Sequence, residues 1–326
     1  MVRCDAMQKP GPKLESSSRG GHVRVALFHN EGAGDGSSVD EITAVLDRHG
    51  HHIVQLVDKE WGAEQILDRH ADLVVAAGGD GTVAAAARVL AGSKVPLAIL
   101  PLGTANNIAK SLLVDGPIDS LVERWAHAAP HSIDLGVARG EWGERAFFES
   151  VGAGLIPSGI SAAKAHAEAL QAHPETSQEG SSTAKPEDAV RTFRDVLAHL
   201  EPQRWTIVID GEPHVDEFLL VEVLNIASIG PNLVLSERAD PCDGLFSVAI
   251  ATAHDRGLLD EYLAHRSGGG DRPLSLPLRH ARRIEIRGST EVHVDDQLLR
   301  SRSPQTVSID IQPAALEFLP GPCLAL

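Results

Sequence analysis

A doubly wound α/β domain followed by a β-rich domain is the fold class the sequence predicts. Three observations predict it. Short apolar strands alternate with helical spacing from Val23 to Leu112, and glycine-bearing turns fall at the carboxyl ends of those strands. Beyond about Asp134, strand-like stretches follow one another, many of them separated by turns with Gly, Pro and Asp. The length agrees: at roughly 100–200 residues per domain, 326 residues fit two domains.

Residues 1–21 carry Pro, Ser, Gly and Lys without periodicity and are expected to form a disordered tail. Val23 to Phe28 is a first apolar strand, followed by the glycine-rich loop Asn30 to Gly36. Val39 to His49 has helical spacing at Ile42, Val45 and Leu46, and Gly50 suits the helix end. Ile53 to Val57 is a second strand and Ala63 to His70 a second helix. Leu73 to Ala77 is apolar on both faces, as a buried parallel strand must be. A glycine turn leads into a helix from Val83 to Ala91. Pro96 to Leu100 is a fourth strand and Thr104 to Leu112 a further helix. The domain is bounded as 22–133. The β-rich region, 134–312, has strands at Phe147–Val151, Trp205–Ile209, Phe218–Leu224, Leu245–Ala251, Arg283–Arg287, Glu291–Val294 and Val307–Ile311. Residues 161–200 interrupt it with an alanine-rich helical piece and a polar, low-complexity run, expected to be a mobile insertion.

Composition narrows the function. The chain is 43% hydrophobic but only 4% aromatic, so its cores must be packed with Val, Leu, Ile and Ala. A net charge of −16 argues against nucleic acid as partner, since phosphate backbones are held by Lys and Arg. It argues equally against a large electrostatic membrane anchor. Cys4, Cys242 and Cys323 lie far apart without a CxxC pair, so neither a disulfide framework nor a structural zinc site is indicated. A reducing cytoplasm fits, with any lipid contact peripheral. Arg279, Arg282 and Arg283 read as a solvated strand entrance, and Trp205 and Tyr262 as packing.

Two turns carry the chemistry. At Gly78-Gly79-Asp80-Gly81-Thr82 a buried strand feeds glycines into a helix start. Glycines allow close approach of a ligand to the backbone, and N–H groups at a helix start favour an anion. Asp80 can orient a metal ion or a phosphate-bound water, or it can cap the helix. At Pro101-Leu102-Gly103-Thr104-Ala105-Asn106-Asn107, Thr104 and Asn106 stand at another helix start, where they can bind phosphate or act as caps. On neighbouring strands the two turns would converge at one crevice at the carboxyl edge of the sheet.

The pairing of GGDGT with PLGTANNIA resembles the diacylglycerol kinase catalytic domain family, especially its bacterial lipid kinases, with sphingosine kinases as relatives. The resemblance spans roughly residues 23–320 and is strongest over 72–112. Asn30 to Gly36 resembles the family's first nucleotide loop, with Glu31 in place of proline. Ser132 to Gly136, Val151 to Leu155, Asn225 and Asp240 to Phe246 resemble later segments in order. Val292 to Gln297 falls where the family has Asp-Gly-Glu.

The resemblance implies a Rossmann-like nucleotide-binding domain plus a β-sandwich-like domain, with the active site in the cleft between them and about 313–326 returning to the first domain. It implies ATP as phosphate donor, Mg²⁺, and a hydroxyl-bearing acceptor such as a diacylglycerol-like lipid met in transient membrane-surface contact. A homodimer is a further expectation. Asn30, Gly32, Gly34, Gly78 to Thr82, Thr104 and Asn106 would hold the nucleotide. Asp80 and Asp134 would serve a metal and water network, and Asp295 would take the hydroxyl proton. Asp240, Asp243 and the Leu245 carbonyl form an oxygen set suited to a second Mg²⁺, or a hydrated turn. The chain departs from the family at Asn107, Asp296 and Gln297. Two other readings stand beside the lipid kinase: a kinase of a soluble metabolite, since NAD kinases share a GGDGT turn, and a nucleotide-binding regulator without catalysis.

Overall fold

The computed structural model describes residues 23–30, 37–58, 62–67, 70–172, 186–270, 272 and 274–319. They form two compact units. Unit 1 comprises the chain up to Leu135, Pro241–Gly244 and the segment from Gln312 onward; unit 2 comprises Gly136–Asp240 and Leu245–Ile311.

In unit 1, β1 (Val23–His29), α1 (Val39–Arg48), β2 (His51–Asp58), β3 (Leu73–Gly78), α2 (Asp80–Leu90), β4 (Leu97–Pro101), α3 (Asn107–Ser111) and α4 (Ile118–Trp125) follow in order. Between β2 and β3, Ala63–Leu67 is a 3-10 turn where the spacing predicts an α-helix to His70. The strands pair in parallel in the order β2-β1-β3-β4. All six residues of β3 are buried, which accounts for their unbroken apolar run. The α1 helix begins with a capping box: Glu41 N–H donates to Ser38 Oγ, and Ser38 N–H donates back to the Glu41 carboxylate.

The last strand of the chain runs unbroken from Gln297 to Phe318, and its end, within unit 1, pairs in parallel with β4 at Phe318↔Leu97. The kink that admits this lies at Ala314, whose φ of 53° is left-handed. Ala314 N–H donates to Asp134 Oδ1 at 2.8 Å.

Unit 2 is antiparallel. Its elements are β5 (His131–Gly140, entering from unit 1), β6 (Gly143–Phe147), β7 (Ser150–Gly154), α5 (Leu155–Ala172), α6 (Pro186–His199), β8 (Gln203–Ile209), β9 (Glu212–Leu224), β10 (Ser228–Ile229), β11 (Leu233–Val234), β12 (Phe246–Thr252), α7 (Arg256–Ser267), β13 (Leu278–Ala281), β14 (Arg283–Val294) and β15 (Gln297–Phe318, up to Ile311 here). Two long strands serve both layers of a sandwich. The first half of β9 pairs with β8 and its second half with β7; likewise β14 pairs with β8 over Ile284–Arg287 and with β7 at His293–Val294. Register shifts around Ser289 bend β14 between the two. The sequence shows two short strands there because the bulge breaks the alternation. Inside lie Phe147, Trp205, Phe218, Phe246, Ile286 and Val307 with their neighbours. Trp205 stacks on Phe218 with ring centroids 6.2 Å apart, so it packs as expected.

Residues 186–199, expected in a mobile insertion, form the amphipathic helix α6, and all of 161–172 belongs to α5. Val190, Phe193 and Leu197 recur at helical spacing and are buried against Leu155, Ile156 and Leu219. The polar run before α6, 173–185, lies outside the described residues. Tyr262 is also packing: its buried O–H donates to the Val234 carbonyl at 3.0 Å, and burial pushes its pKa up to about 12.

Candidate functional site

The phosphate-binding candidates sit at the carboxyl edge of the unit 1 sheet. Gly78 on β3 is opposite Pro101 on β4, and Leu102 N–H donates to the Gly78 carbonyl at 3.0 Å. The two turns that follow therefore start side by side and touch. A Cβ added at Gly103 would lie 2.4 Å from Gly79 Cα, and one at Gly78 would lie 2.5 Å from Thr82 Oγ1. The result is a patch of bare backbone next to the start of α2, the environment in which N–H groups meet phosphate.

Side chains in these turns divide into structural and accessible. Asp80 sits in the first turn of α2 but caps its neighbour: its carboxylate accepts from Ile108 N–H at 2.9 Å and also from Asn107 N–H, at the start of α3. Asn106, left-handed at φ 51°, folds back, accepting from Gly103 N–H at 3.0 Å and donating to the Gly103 carbonyl at 2.6 Å. Among the described residues Thr82 Oγ1, buried under Gly78, has no hydrogen-bond partner. Of the residues expected to hold a nucleotide, Asn106 has its side chain engaged within its own turn and Thr82 has its hydroxyl packed beside Gly78. Thr104 is exposed on the turn. Asn30 is tied to the sheet by donating its N–H to the Ala77 carbonyl at 3.2 Å. Gly32 and Gly34 lie outside the described residues.

Burial raises the Asp80 pKa above the ordinary carboxylate value, against the opposing pull of the Ile108 and Asn107 N–H groups and Lys110. A carboxyl with a higher pKa when folded contributes stability that is fully present below its unfolded pKa. That contribution is lost as pH rises through the folded value. Asp80→Asn keeps an oxygen for Ile108 and removes the charge. The variant is expected to unfold at an equal or higher denaturant concentration than the parent at neutral pH, with the gap closing below about pH 4. Urea titrations at the two pH values check it; a variant less stable at neutral pH contradicts it.

Asp134, expected in a metal and water network, is hydrogen-bonded at both carboxylate oxygens. Its Oδ2 accepts from Gly244 N–H at 2.7 Å and its Oδ1 from Ala314 N–H at 2.8 Å, while its own N–H donates to the Pro241 carbonyl at 2.7 Å. One buried carboxylate thus joins the three chain segments of unit 1. Asp134→Ala strands two N–H groups at about 1–3 kcal/mol each, so a loss of about 2–6 kcal/mol is expected. Asp134→Asn, which keeps one acceptor oxygen, should lose about half of that. Equilibrium unfolding measures both; equal losses would refute the reading.

Asp240, Asp243 and Leu245 lie in the turn before β12, whose backbone Asp134 pins. Among the described residues no three His, Cys, Asp or Glu side chains form a metal-binding group.

Unit 2 contributes Asp295. It stands first in the two-residue turn joining β14 to β15, between the paired Val294 and Gln297, at a left-handed φ of 49°. Only 6% exposed, its carboxylate accepts from Phe148 N–H at 3.1 Å and Glu149 N–H at 2.8 Å. Its N–H donates to the Ser150 carbonyl at 2.9 Å. Asn225 holds the same Phe148–Glu149 corner, donating its Nδ2–H to the Phe148 carbonyl at 2.9 Å. Asp296, one residue on, offers its backbone carbonyl to Lys164, and Gln297 accepts from Arg145 at 2.8 Å.

The sequence reading missed Glu222 and His293. Glu222 is fully buried on β9 and His293 is 1% exposed on β14; His293 Nε2 lies 2.8 Å from Glu222 Oε1 and His293 Nδ1 lies 2.9 Å from the Asp295 carbonyl. Burial opposes a charged His293, but Glu222, together with the Asp295 carbonyl, outweighs it and raises its pKa. The available signal was a lone carboxylate in an otherwise apolar run, Phe218 to Leu224.

Comparison with known proteins bears on both units. Residues 24–138 match the model of the diacylglycerol kinase catalytic domain, and residues 183–320 that of the YegS C-terminal NAD kinase beta sandwich-like domain. A protein of Mycobacterium tuberculosis (strain CDC 1551 / Oshkosh) named diacylglycerol kinase is 28% identical over 250 residues, 72% of this chain and 74% of its own. A crystal structure described as a diacylglycerol kinase from Bacillus anthracis str. Sterne superimposes with a TM-score of 0.64 at 19% identity. It covers 93% of this chain and 98% of that one. The fold is thus an α/β domain plus a β-sandwich-like domain.

Proposed function

We propose, from the premise that this chain belongs to the diacylglycerol kinase catalytic domain family, that it transfers the γ-phosphate of ATP to the hydroxyl of a diacylglycerol-like lipid. The carrying observation is the contact of two glycine turns, at Gly79 and Gly103, at the carboxyl edge of a parallel sheet.

The bare backbone of Gly78, Gly79 and Gly103 and the N–H groups opening α2 receive phosphate oxygens. Asp80, its carboxylate oriented by the Ile108 N–H, would be the residue of this turn to hold Mg²⁺. Mg²⁺, where bound, neutralises charge developing on the phosphates. It commonly takes one or two carboxylates plus phosphate oxygens, and isolated carboxylates such as Asp80 suit that need better than a three-carboxylate cage. Asp295 accepts the proton of the lipid hydroxyl as its oxygen bonds to the γ-phosphorus. The bond from that phosphorus to the bridging oxygen breaks and ADP leaves. No helix among the described residues is long and apolar enough to cross a membrane; the proposed encounter is transient, at a cytoplasmic membrane surface.

The test incubates the protein with γ-labelled ATP, Mg²⁺ and mixed micelles of diacylglycerol, monoacylglycerol or sphingosine, with NAD in a parallel tube. Label in a lipid phosphomonoester is expected. Label on NAD alone reassigns the acceptor to a soluble metabolite. ATP binding without transfer to any acceptor makes the protein a nucleotide-binding regulator.

A further inference from the structure

Glycine at position 152 lets two side chains meet across its strand on one face of the sheet. Strands β9, β7 and β14 lie side by side, and Gly152 on β7 is directly opposite Glu222 on β9 and His293 on β14. With adjacent strands about 4.8 Å apart, Glu222 and His293 are two strand spacings from one another. They meet by reaching over Gly152: a Cβ there would lie 1.9 Å from Glu222 Oε2.

The ring is held at both ends. A nitrogen facing a carbonyl oxygen must carry a hydrogen, so His293 Nδ1–H donates to the Asp295 carbonyl. Nε2 shares a proton with Glu222 Oε1 at the other end. A buried ionisable pair is seldom the most stable filling for a core, since apolar residues of similar volume often do as well or better. Here it acts on one residue. Asp295 sits in a left-handed conformation that costs about 1 kcal/mol or more outside glycine. Its N–H, carbonyl and carboxylate are fixed by Ser150, by His293, and by Phe148 with Glu149.

We propose that Glu222 and His293 form a positioning unit that holds the β14–β15 turn so that the Asp295 carboxylate keeps one orientation. This rests on the reading of Asp295 as the base, and neither residue touches the reacting atoms.

Two substitutions separate the ends of the ring. His293→Asn leaves an amide N–H near the place of Nδ1, toward the Asp295 carbonyl. His293→Gln moves the amide to the Nε2 side, toward Glu222, and abandons the turn. The readouts are hydrogen exchange of the Glu149 amide, which donates to Asp295, and steady-state kinetics with ATP and diacylglycerol micelles. His293→Gln is expected to speed the exchange and lower kcat by roughly 10- to 100-fold with KM for ATP unchanged. His293→Asn is expected to restore both to within about threefold of the parent. Equal behaviour of the two variants overturns the proposal, as does unchanged Glu149 exchange in His293→Gln. Should His293→Gln not fold, Glu222→Gln carries the test: faster Glu149 exchange supports the unit and parental exchange overturns it. A parent protein that phosphorylates no lipid would sink the kinase reading, while the exchange comparison would still decide whether the pair holds the turn.

Discussion

Asp295→Asn is expected to lower kcat by about 10²- to 10⁴-fold while ATP binding stays at the parental level, the loss typical of removing a general base. The substitution isolates the proton acceptor from the architecture. Asn tolerates the left-handed conformation nearly as well as Asp, so the turn at φ 49° is kept. Its single carbonyl oxygen can still accept from Glu149 N–H, the 2.8 Å bond. What disappears is the capacity proposed for Asp295, to take the proton of an acceptor hydroxyl. Asp296→Asn is the companion, because two adjacent aspartates compete for the role in the sequence. Asp296 is exposed and contacts Lys164 through its backbone carbonyl, not its side chain. It is expected to keep kcat within about threefold. Loss in Asp296→Asn with parental activity in Asp295→Asn would exchange the two assignments.

The contrast between those neighbours shows where the sequence was informative. The GGDGT and PLGT turns are local: strand, glycines and helix lie within a dozen residues, so their geometry can be read from spacing. The role of Asp134 cannot, because its partners Gly244 and Ala314 are 110 and 180 residues away. Its place inside an apolar strand, between Ile133 and Leu135, looks the same for a metal ligand and for a tie between segments. Asn106 is local but no easier to read. A polar side chain at a helix start suggests a ligand or a cap, yet its left-handed backbone turns it onto Gly103, and φ is not written in composition. Glu222 was visible as an anomaly, but without knowing that β7 separates β9 from β14 nothing paired it with His293.

Gly103→Ala carries the second large effect, and it tests the nucleotide half without touching the base. The added methyl would lie 2.4 Å from Gly79 Cα, 3.2 Å from Gly79 N and 2.9 Å from Asn106 Oδ1. Two of these are backbone atoms of the neighbouring turn, which have no rotamer to escape into, so the turns must separate. Separation pulls on the Leu102 to Gly78 hydrogen bond and spreads the N–H groups that would surround phosphate. Overpacking of this kind costs about 1–3 kcal/mol of stability. A displacement near 1 Å in a positioned site costs about 100-fold, so ATP affinity by calorimetry is expected to fall by that order. Gly257→Ala is the matched control: it lies in α7 with nothing within 4 Å of the added carbon. In the first turn of α7 the exchange should raise stability by at most about 0.5 kcal/mol and leave ATP binding alone. If Gly103→Ala binds ATP as the parent does, the contact between the turns is only packing, and the phosphate must be held elsewhere.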